Sequence, residues 1–234
     1  MRILFHLPTR SRPDKARLCI QNIIDYCESD NYLILVSADI NDDKMNGFEF
    51  KHPKVIIHWG QSNNKIHACN RSIHIAQWDI LVNTSDDMRF EAKGFDNTIR
   101  KAFTDVERKE IIGGPPAWEE ITVTNLDRMV FFNDGNQKEN ACTLSIMGRP
   151  YYERFNYVYH PDYENLWADA EFTEVARILG KYKYMGDQLI IFRHLHPAWG
   201  LGNWDEQYRN QDNQTTNAKD LDTYTKRKAI NFGI

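Results

Sequence analysis

The chain reads as an α/β protein with a mostly parallel central sheet flanked by helices, and three observations carry that reading. Short apolar runs alternate with stretches of helical spacing through the first 90 residues, as strands joined by crossover helices require. Polar clusters follow three of those runs: Thr9-Arg10-Ser11-Arg12, Ser37-Ala38-Asp39 and Asn83-Thr84-Ser85-Asp86-Asp87. Open sheets of this kind bind ligands outside the carboxyl ends of their strands. Finally, 234 residues that are 41% hydrophobic, with only 12 glycines and 8 prolines, can bury a substantial core. That composition excludes collagen-like, low-complexity and disordered chains.

Taken in order, residues 2 to 7 are an apolar strand stopped by Pro8 and followed by the polar turn Thr9 to Pro13. Pro13-Asp14 opens a helix with Ala16, Leu18, Cys19, Ile23, Ile24, Tyr26 and Cys27 at helical spacing, closed by Ser29-Asp30-Asn31. Strands are expected at Tyr32 to Val36 and at residues 54 to 59, then a polar loop from Gly60 to Asn64. Helical spacing runs through Ile66, Cys69, Ile73 and Ala76, and Trp78 to Val82 is a fourth strand. The second half alternates less regularly. It has a helix near Asp96 to Phe103, β-like pieces at Glu110 to Ile112, Met129 to Phe132 and Thr143 to Met147, and a helix through Phe172 to Leu179. Residues 182 to 196 mix Tyr, Ile and Phe with two histidines. Asn203 to Asp222 is rich in Asn and Gln and reads as a surface loop before a short final helix. With no repeat and no linker, residues 1–202 form one domain and 203–234 a polar extension.

Lys and Arg number 29 against 33 Asp and Glu, a net charge of −4 that gives nucleic acid no long-range attraction. The four cysteines, Cys19, Cys27, Cys69 and Cys142, show no CxxC spacing, and reduced thiols are expected. No apolar run approaches the roughly 18 residues that span a bilayer. The first residues run straight into Pro8-Thr9-Arg10, so neither secretion nor a membrane span is expected, and a cytoplasmic location is.

Several side chains suit chemistry, each with an ordinary structural explanation beside it. Asp86-Asp87 after an apolar run is either an acidic turn or a hard-cation site. Asp39 either caps its turn or accepts hydrogen bonds from a base or sugar. Arg10, Arg12, Lys65 and Arg71 are solvated charges or phosphate ligands at one rim. Asp169 and Glu171 precede a helical pattern, where carboxylates cap helices or act as general bases. In His194-Leu195-His196 the rings of a strand would face opposite ways, so one enters a given site. No HExxH, GxxxxGK[ST] or GxSxG motif is present, which removes zincin, P-loop and common serine-hydrolase readings.

In order, these clusters resemble the nucleotide-sugar-dependent glycosyltransferases of the GT-A fold, particularly the family-2-like group. Pro8-Thr9-Arg10-Ser11-Arg12-Pro13 is similar to the first-strand signature Pro-Thr-x-Asn-Arg-Pro, with Ser11 replacing asparagine. Ser37-Ala38-Asp39 with Asp42-Asp43 resembles the second acidic motif, and Lys65 through Asn70-Arg71 the following helix. Trp78 to Asp87 resembles the strand bearing Asp-x-Asp-Asp, with Thr84 at the first aspartate. Ala168-Asp169 falls where the family has Glu-Asp, and His194-Leu195-His196 resembles the strand that supplies a metal-binding histidine.

The resemblance implies a Rossmann-like sheet with a smaller acceptor-side region, and a transferase using Mn²⁺ or Mg²⁺. The donor site is expected at Thr9, Arg10, Asp39, Lys65, Arg71, Asp86 and Asp87, with a UDP-sugar favoured because Asp39 accepts from the base N–H. Asp86 is the expected main metal ligand, joined by His194 or His196, with His196 preferred because Pro197 marks the strand end. Asp169 is the expected catalytic base of an inverting transfer, with Glu171 as competitor. The acceptor, a glycan, a protein or a modified DNA base, is expected near Gly113 to Trp118 and the aromatics Tyr151, Tyr152, Phe155, Tyr157 and Tyr159. A nucleotidyltransferase of related fold, or a non-catalytic nucleotide- or sugar-binding module, is the alternative.

Overall fold

In the computed structural model, which describes residues 1–110 and 118–234, β1 (Ile3–Thr9) is the hub of a seven-stranded sheet. Its residues are apolar on both faces, as a parallel strand covered by helices on each side requires. Ile3, Phe5 and Leu7 pack with Ala16, Cys19, Ile20 and Ile23 of α1 (Pro13–Tyr26). Leu4 faces the other way, into a second core with Ile66 and Cys69 of α2 (Lys65–Asn70).

On one side β1 pairs in parallel with β2 (Tyr32–Asp39), which pairs with β3 (Val55–Gly60). On the other it pairs in parallel with β4 (Ile80–Asn83). Beyond the short β5 (Met88–Phe90) and α3 (Phe95–Ala102) comes an antiparallel hairpin, β6 (Thr104–Glu110) and β7 (Trp118–Thr124). Most of its residues are exposed, Trp118 at 63%. β8 (Met129–Phe131) and β9 (Ser145–Gly148) extend the main sheet, β9 running antiparallel to both β4 and β8. After α4 (Arg149–Tyr152) and α5 (Ala168–Ile178), β10 (Tyr182–Tyr184) closes the edge beside β8. β11 (Phe192–His194) then returns to pair with β5. The order β10-β8-β9-β4-β1-β2-β3 is a mostly parallel sheet between helices, as expected.

Two expected elements differ. α2 ends at Asn70 because Arg71 takes extended backbone and Ser72 a left-handed one, φ 74°. The segment from Asn203 to Asp222 is no surface loop: it folds as α6 (Glu206–Gln211) and most of α7 (Gln214–Ala229). Asp205 and Asn213 cap these helices through their side chains, which is how Asp and Asn start a helix. α7 is anchored by polar groups that hydrophobic spacing does not register. Asp220, fully buried, accepts from the backbone N–H groups of Glu164, Asn165 and Leu166.

Among the described residues no helix is long and apolar enough to cross a membrane, and all four cysteines are buried and free. The expected β-like run at Glu110 to Ile112 is seen only to Glu110. Residues 111–117, including Gly113 to Ala117, lie outside the described residues.

Candidate active site

The site begins at the end of β1. Ser11 takes a left-handed backbone, φ 61°, and its hydroxyl donates to Asp42 Oδ1 at 3.1 Å. Asp42 therefore fastens this turn and caps its own. Arg12 then precedes Pro13, the first residue of α1, so the turn presents Thr9, Arg10 and Arg12 over the strand ends. Thr9 Oγ1 donates to Asp86 Oδ2 at 2.9 Å, and Arg12 lies 3.2 Å from Asp86 Oδ1. Desolvation pushes the Asp86 carboxyl up to about 6 against the opposing charge of Arg12.

At the end of β2, Asp39 receives Arg10 at 2.6 Å on one oxygen and Arg71 at 3.1 Å on the other. Arg71 also donates to Ser37 Oγ and to the Ala38 carbonyl. The irregular end of α2 lays this guanidinium across the sheet, where a Cβ on Gly60 would stand 2.9 Å from it. Lys65 is exposed at the start of α2 and makes no ion pair among the described residues.

Asp87 is nearly buried. His194 Nε2 lies 3.3 Å from its Oδ2, and the Tyr208 hydroxyl donates to the same oxygen at 2.6 Å. Desolvation alone would raise this carboxyl, but the hydrogen bonds from His194 and its neighbours hold it well below the usual range. His196, the expected metal ligand, packs beside this group, its ring 5.3 Å from that of His194, but its nitrogens are turned to other partners. β11 ends at His194, and His196 caps the following turn, its Nδ1 accepting from Ala198 N and its Nε2 3.0 Å from Asp212. Pro197 therefore marks the end of a turn-capping residue rather than of the strand.

Asp169 stands in the first turn of α5, where its Oδ1 accepts from Ala170 N at 2.9 Å. Burial raises its carboxyl above the usual range, against that hydrogen bond and the positive charges of Lys65 and His194. Glu171, its competitor, is committed to packing. Arg227 grips both its oxygens at 2.7 and 2.8 Å, and the Tyr163 hydroxyl donates to one of them at 2.7 Å. Of the expected acceptor aromatics, Tyr151 and Tyr159 are buried in the core and pack edge-on against Phe172. They are wall rather than surface.

The structure thus joins Thr9 with Asp86 and Arg10 with Asp39 and Arg71, and sets Asp87 against His194 rather than His196. Arg12 and His194, weighed in the sequence but not preferred, join the cluster together with two residues that the sequence did not suggest, Asp205 and Tyr208. Arg12 and His194 stand inside motifs visible in the sequence, whereas Asp205 and Tyr208 come from a polar tail with no local signal. Among the described residues no three His, Cys, Asp or Glu side chains form a metal cage. Yet Asp87 Oδ1 and His194 Nδ1 are buried without a hydrogen-bond partner. A carboxylate oxygen and an imidazole nitrogen are donors of the kind an oxygen-preferring divalent ion takes, but among the described residues they do not assemble with a third into a closed site.

Comparison with solved structures identifies the architecture. A mannosyltransferase from Pyrobaculum calidifontis, solved with GDP-Man and Mn²⁺, superposes with a TM-score of 0.60 at 15% identity, over 85% of this chain and 59% of its own. TarS residues 1–349 from S. aureus, with UDP-GlcNAc, gives 0.52 at 12% identity, over 82% of this chain and 58% of its own. Glucosyl-3-phosphoglycerate synthase from Mycobacterium tuberculosis, with Mn²⁺, UDP and glucosyl-3-phosphoglycerate, gives 0.55 at 12%, over 94% and 79%. The chain has the GT-A fold of nucleotide-sugar glycosyltransferases. It spans less than two thirds of the length of the first two. No protein-family model matches it, and no curated protein does.

Proposed function

We propose that the protein transfers a sugar from a nucleoside-diphosphate donor to an acceptor hydroxyl, with inversion. The observation that carries this reading is the convergence at one sheet edge. Thr9 and Arg12 meet Asp86, Arg10 and Arg71 meet Asp39, and His194 meets Asp87, all beyond the carboxyl ends of β1, β2 and β4, where open α/β sheets bind ligands.

Asp39, Arg10 and Arg71 hold the nucleoside, and a uridine donor is favoured because a carboxylate there accepts from the base N–H. UDP is also the nucleotide in two of the similar structures. Asp86 and Asp87 with His194 hold Mn²⁺ or Mg²⁺, which when bound offsets charge growing on the departing diphosphate. Lys65 at the rim adds positive charge beside the same leaving group. Asp169, in the first turn of α5 and within the electrostatic reach of Lys65 and His194, takes the proton of the acceptor hydroxyl. Its raised affinity for a proton makes it a stronger base than an ordinary surface carboxylate.

The test is a panel of UDP- and GDP-sugars, followed by donor hydrolysis and by calorimetric binding, with and without Mn²⁺. Release of a nucleoside diphosphate that stops in excess chelator is the expected result. Binding without turnover toward any acceptor would leave a sugar-nucleotide binding module. Absence of binding to every donor would overturn the donor site.

A further inference from the structure

The tail reaches the site by a carboxylate. Asp205, the cap of α6, accepts from Arg12 at 2.6 Å and from Lys15 at 2.8 Å. One helical turn on, the Tyr208 ring lies under the Arg12 guanidinium at 3.9 Å and its hydroxyl occupies Asp87. We propose that Arg12 and Lys15 form a phosphate subsite for the nucleoside-diphosphate donor, and that Asp205 occupies it in the resting protein as an internal anion. This rests on the donor-site reading above and adds to it two residues and a competitor.

Three features support the exchange. The first is the chemistry of the pair: a guanidinium and an ammonium converging on one carboxylate is an arrangement that binds phosphate oxygens equally well. Arg12 Nε is also buried with no hydrogen-bond partner among the described residues, so the guanidinium keeps a donor that Asp205 does not use. The second is place. Arg12 bridges Asp205 and Asp86, so an anion on Arg12 lies beside the carboxylate pair at which the donor diphosphate is expected.

The third is that the plug is held largely by polar contacts. Tyr208 is the buried residue of α6, and the helix is otherwise attached by polar contacts such as Lys44 to Glu206 at 2.7 Å. Its two flanks are firm. β11 is paired with β5 before it, and α7 after it is pinned by Asp220 and by Arg227 on Glu171. Gly200 and Gly202, at φ 74° and 100°, take backbone conformations before the plug that other residues adopt at a cost. The segment from Asp205 to Asp212 is therefore a strap between two anchored ends, held by Asp205 on Arg12 and Lys15, by Tyr208 on Asp87, and by Asp212 on Asn165 and His196.

The experiment is calorimetric titration of the full-length protein and two variants with UDP, GDP and inorganic pyrophosphate in the presence of Mn²⁺. Asp205→Asn keeps the helix cap, since Asn caps as well as Asp, and removes the competing charge. It should tighten nucleotide and pyrophosphate binding about tenfold by raising the open fraction. Lys15→Gln made in the Asp205→Asn background, where the plug no longer draws on Lys15, should weaken both by about tenfold relative to Asp205→Asn through loss of a charge-assisted contact. Hydrogen exchange on the unmodified protein should show the amides of Glu206 to Gln211 losing protection when nucleotide saturates the site. If the unmodified protein binds nucleotide while Asp205→Asn binds it no more tightly, the plug is refuted and the donor site stands. Full protection of α6 at saturation refutes it too. If none of the three ligands binds any form, the donor site itself falls and the plug with it.

Discussion

Asp169 and Glu171 share one turn of α5 and live in opposite surroundings. Glu171 is closed in by Arg227 and Tyr163, while Asp169 has, among the described residues, only a local backbone partner and feels the positive charges of Lys65 and His194. Asp169→Asn keeps the shape and most of the hydrogen bonding but loses basicity. Turnover should fall by about a hundredfold or more, the usual contribution of a general base, with donor affinity unchanged. Glu171→Gln should do the reverse. It leaves the half-buried Arg227 guanidinium without its counter-charge and should cost about 2 kcal/mol in denaturant unfolding, while the folded fraction keeps its turnover. A matched loss of turnover in both variants, or product that retains the donor's anomeric configuration, would move the base elsewhere.

Among the elements, α7 has the widest reach for its sequence. Asp220 gathers three backbone N–H groups of the loop that leads into α5, so Asp220→Ala should leave these donors buried and unpaired. The expected cost is about 3 kcal/mol or more, with hydrogen exchange rising first at Glu164 to Leu166. The same helix explains what the sequence concealed. β1, α1, β2 and β4 were legible because Ile3, Phe5 and Leu7 alternate with Leu4, and because α1 repeats its apolar residues with the period of a helix. α7 buries Asp220 and pairs Arg227 with Glu171, and neither contributes to apolar spacing, so its segment looked like a loop. α2 was read too long for the opposite reason: Ile73 and Ala76 continue its apolar rhythm, but Arg71 leaves the helix to reach Ser37 and Asp39. In the site, Thr9, Asp39 and Asp86 could be read because each stands next to its own strand end. Tyr208 and Asp205 could not, since their partners come from the opposite end of the chain.

For the molecule as a unit, the pH profile of stability should carry the signature of a buried histidine. His6 lies in β1 with Nδ1 3.0 Å from Asn83, and desolvation, opposed by that contact and assisted by Arg71, lowers its pKa to about 4. The unfolded chain takes up this proton near 6.5 and the folded protein only near 4. The His6 contribution is therefore complete above 6.5 and lost as pH falls toward 4, a linkage of about 3 kcal/mol. Asp86 has the opposite sign: its folded value near 6 exceeds the ordinary 3.8, so falling pH relieves its burial over much of the same window. Urea titrations between pH 7 and 4 should thus show a muted slope for the natural sequence. In His6→Gln the destabilising component should vanish. An unchanged slope in that variant would mean that His6 charges without penalty.

The position of β9 in the sheet has a temporal consequence. β3, β2, β1 and β4 are contiguous in the sheet and all emerge by Asn83, whereas Ser145–Gly148, the partner of β4, follows a long intervening stretch. A growing chain therefore holds a four-stranded half sheet whose Ile-Leu-Val edge stays bare until β9 arrives, and such an edge is a template for wrong pairing. Thr9, Asp39, Arg71 and Asp86 are already assembled at that stage, while His194 and Tyr208 have yet to be made. Pulse-labelled refolding should protect the amides of β1 and β2 before those of β9. Simultaneous protection would instead mean that the half sheet does not form ahead of β9.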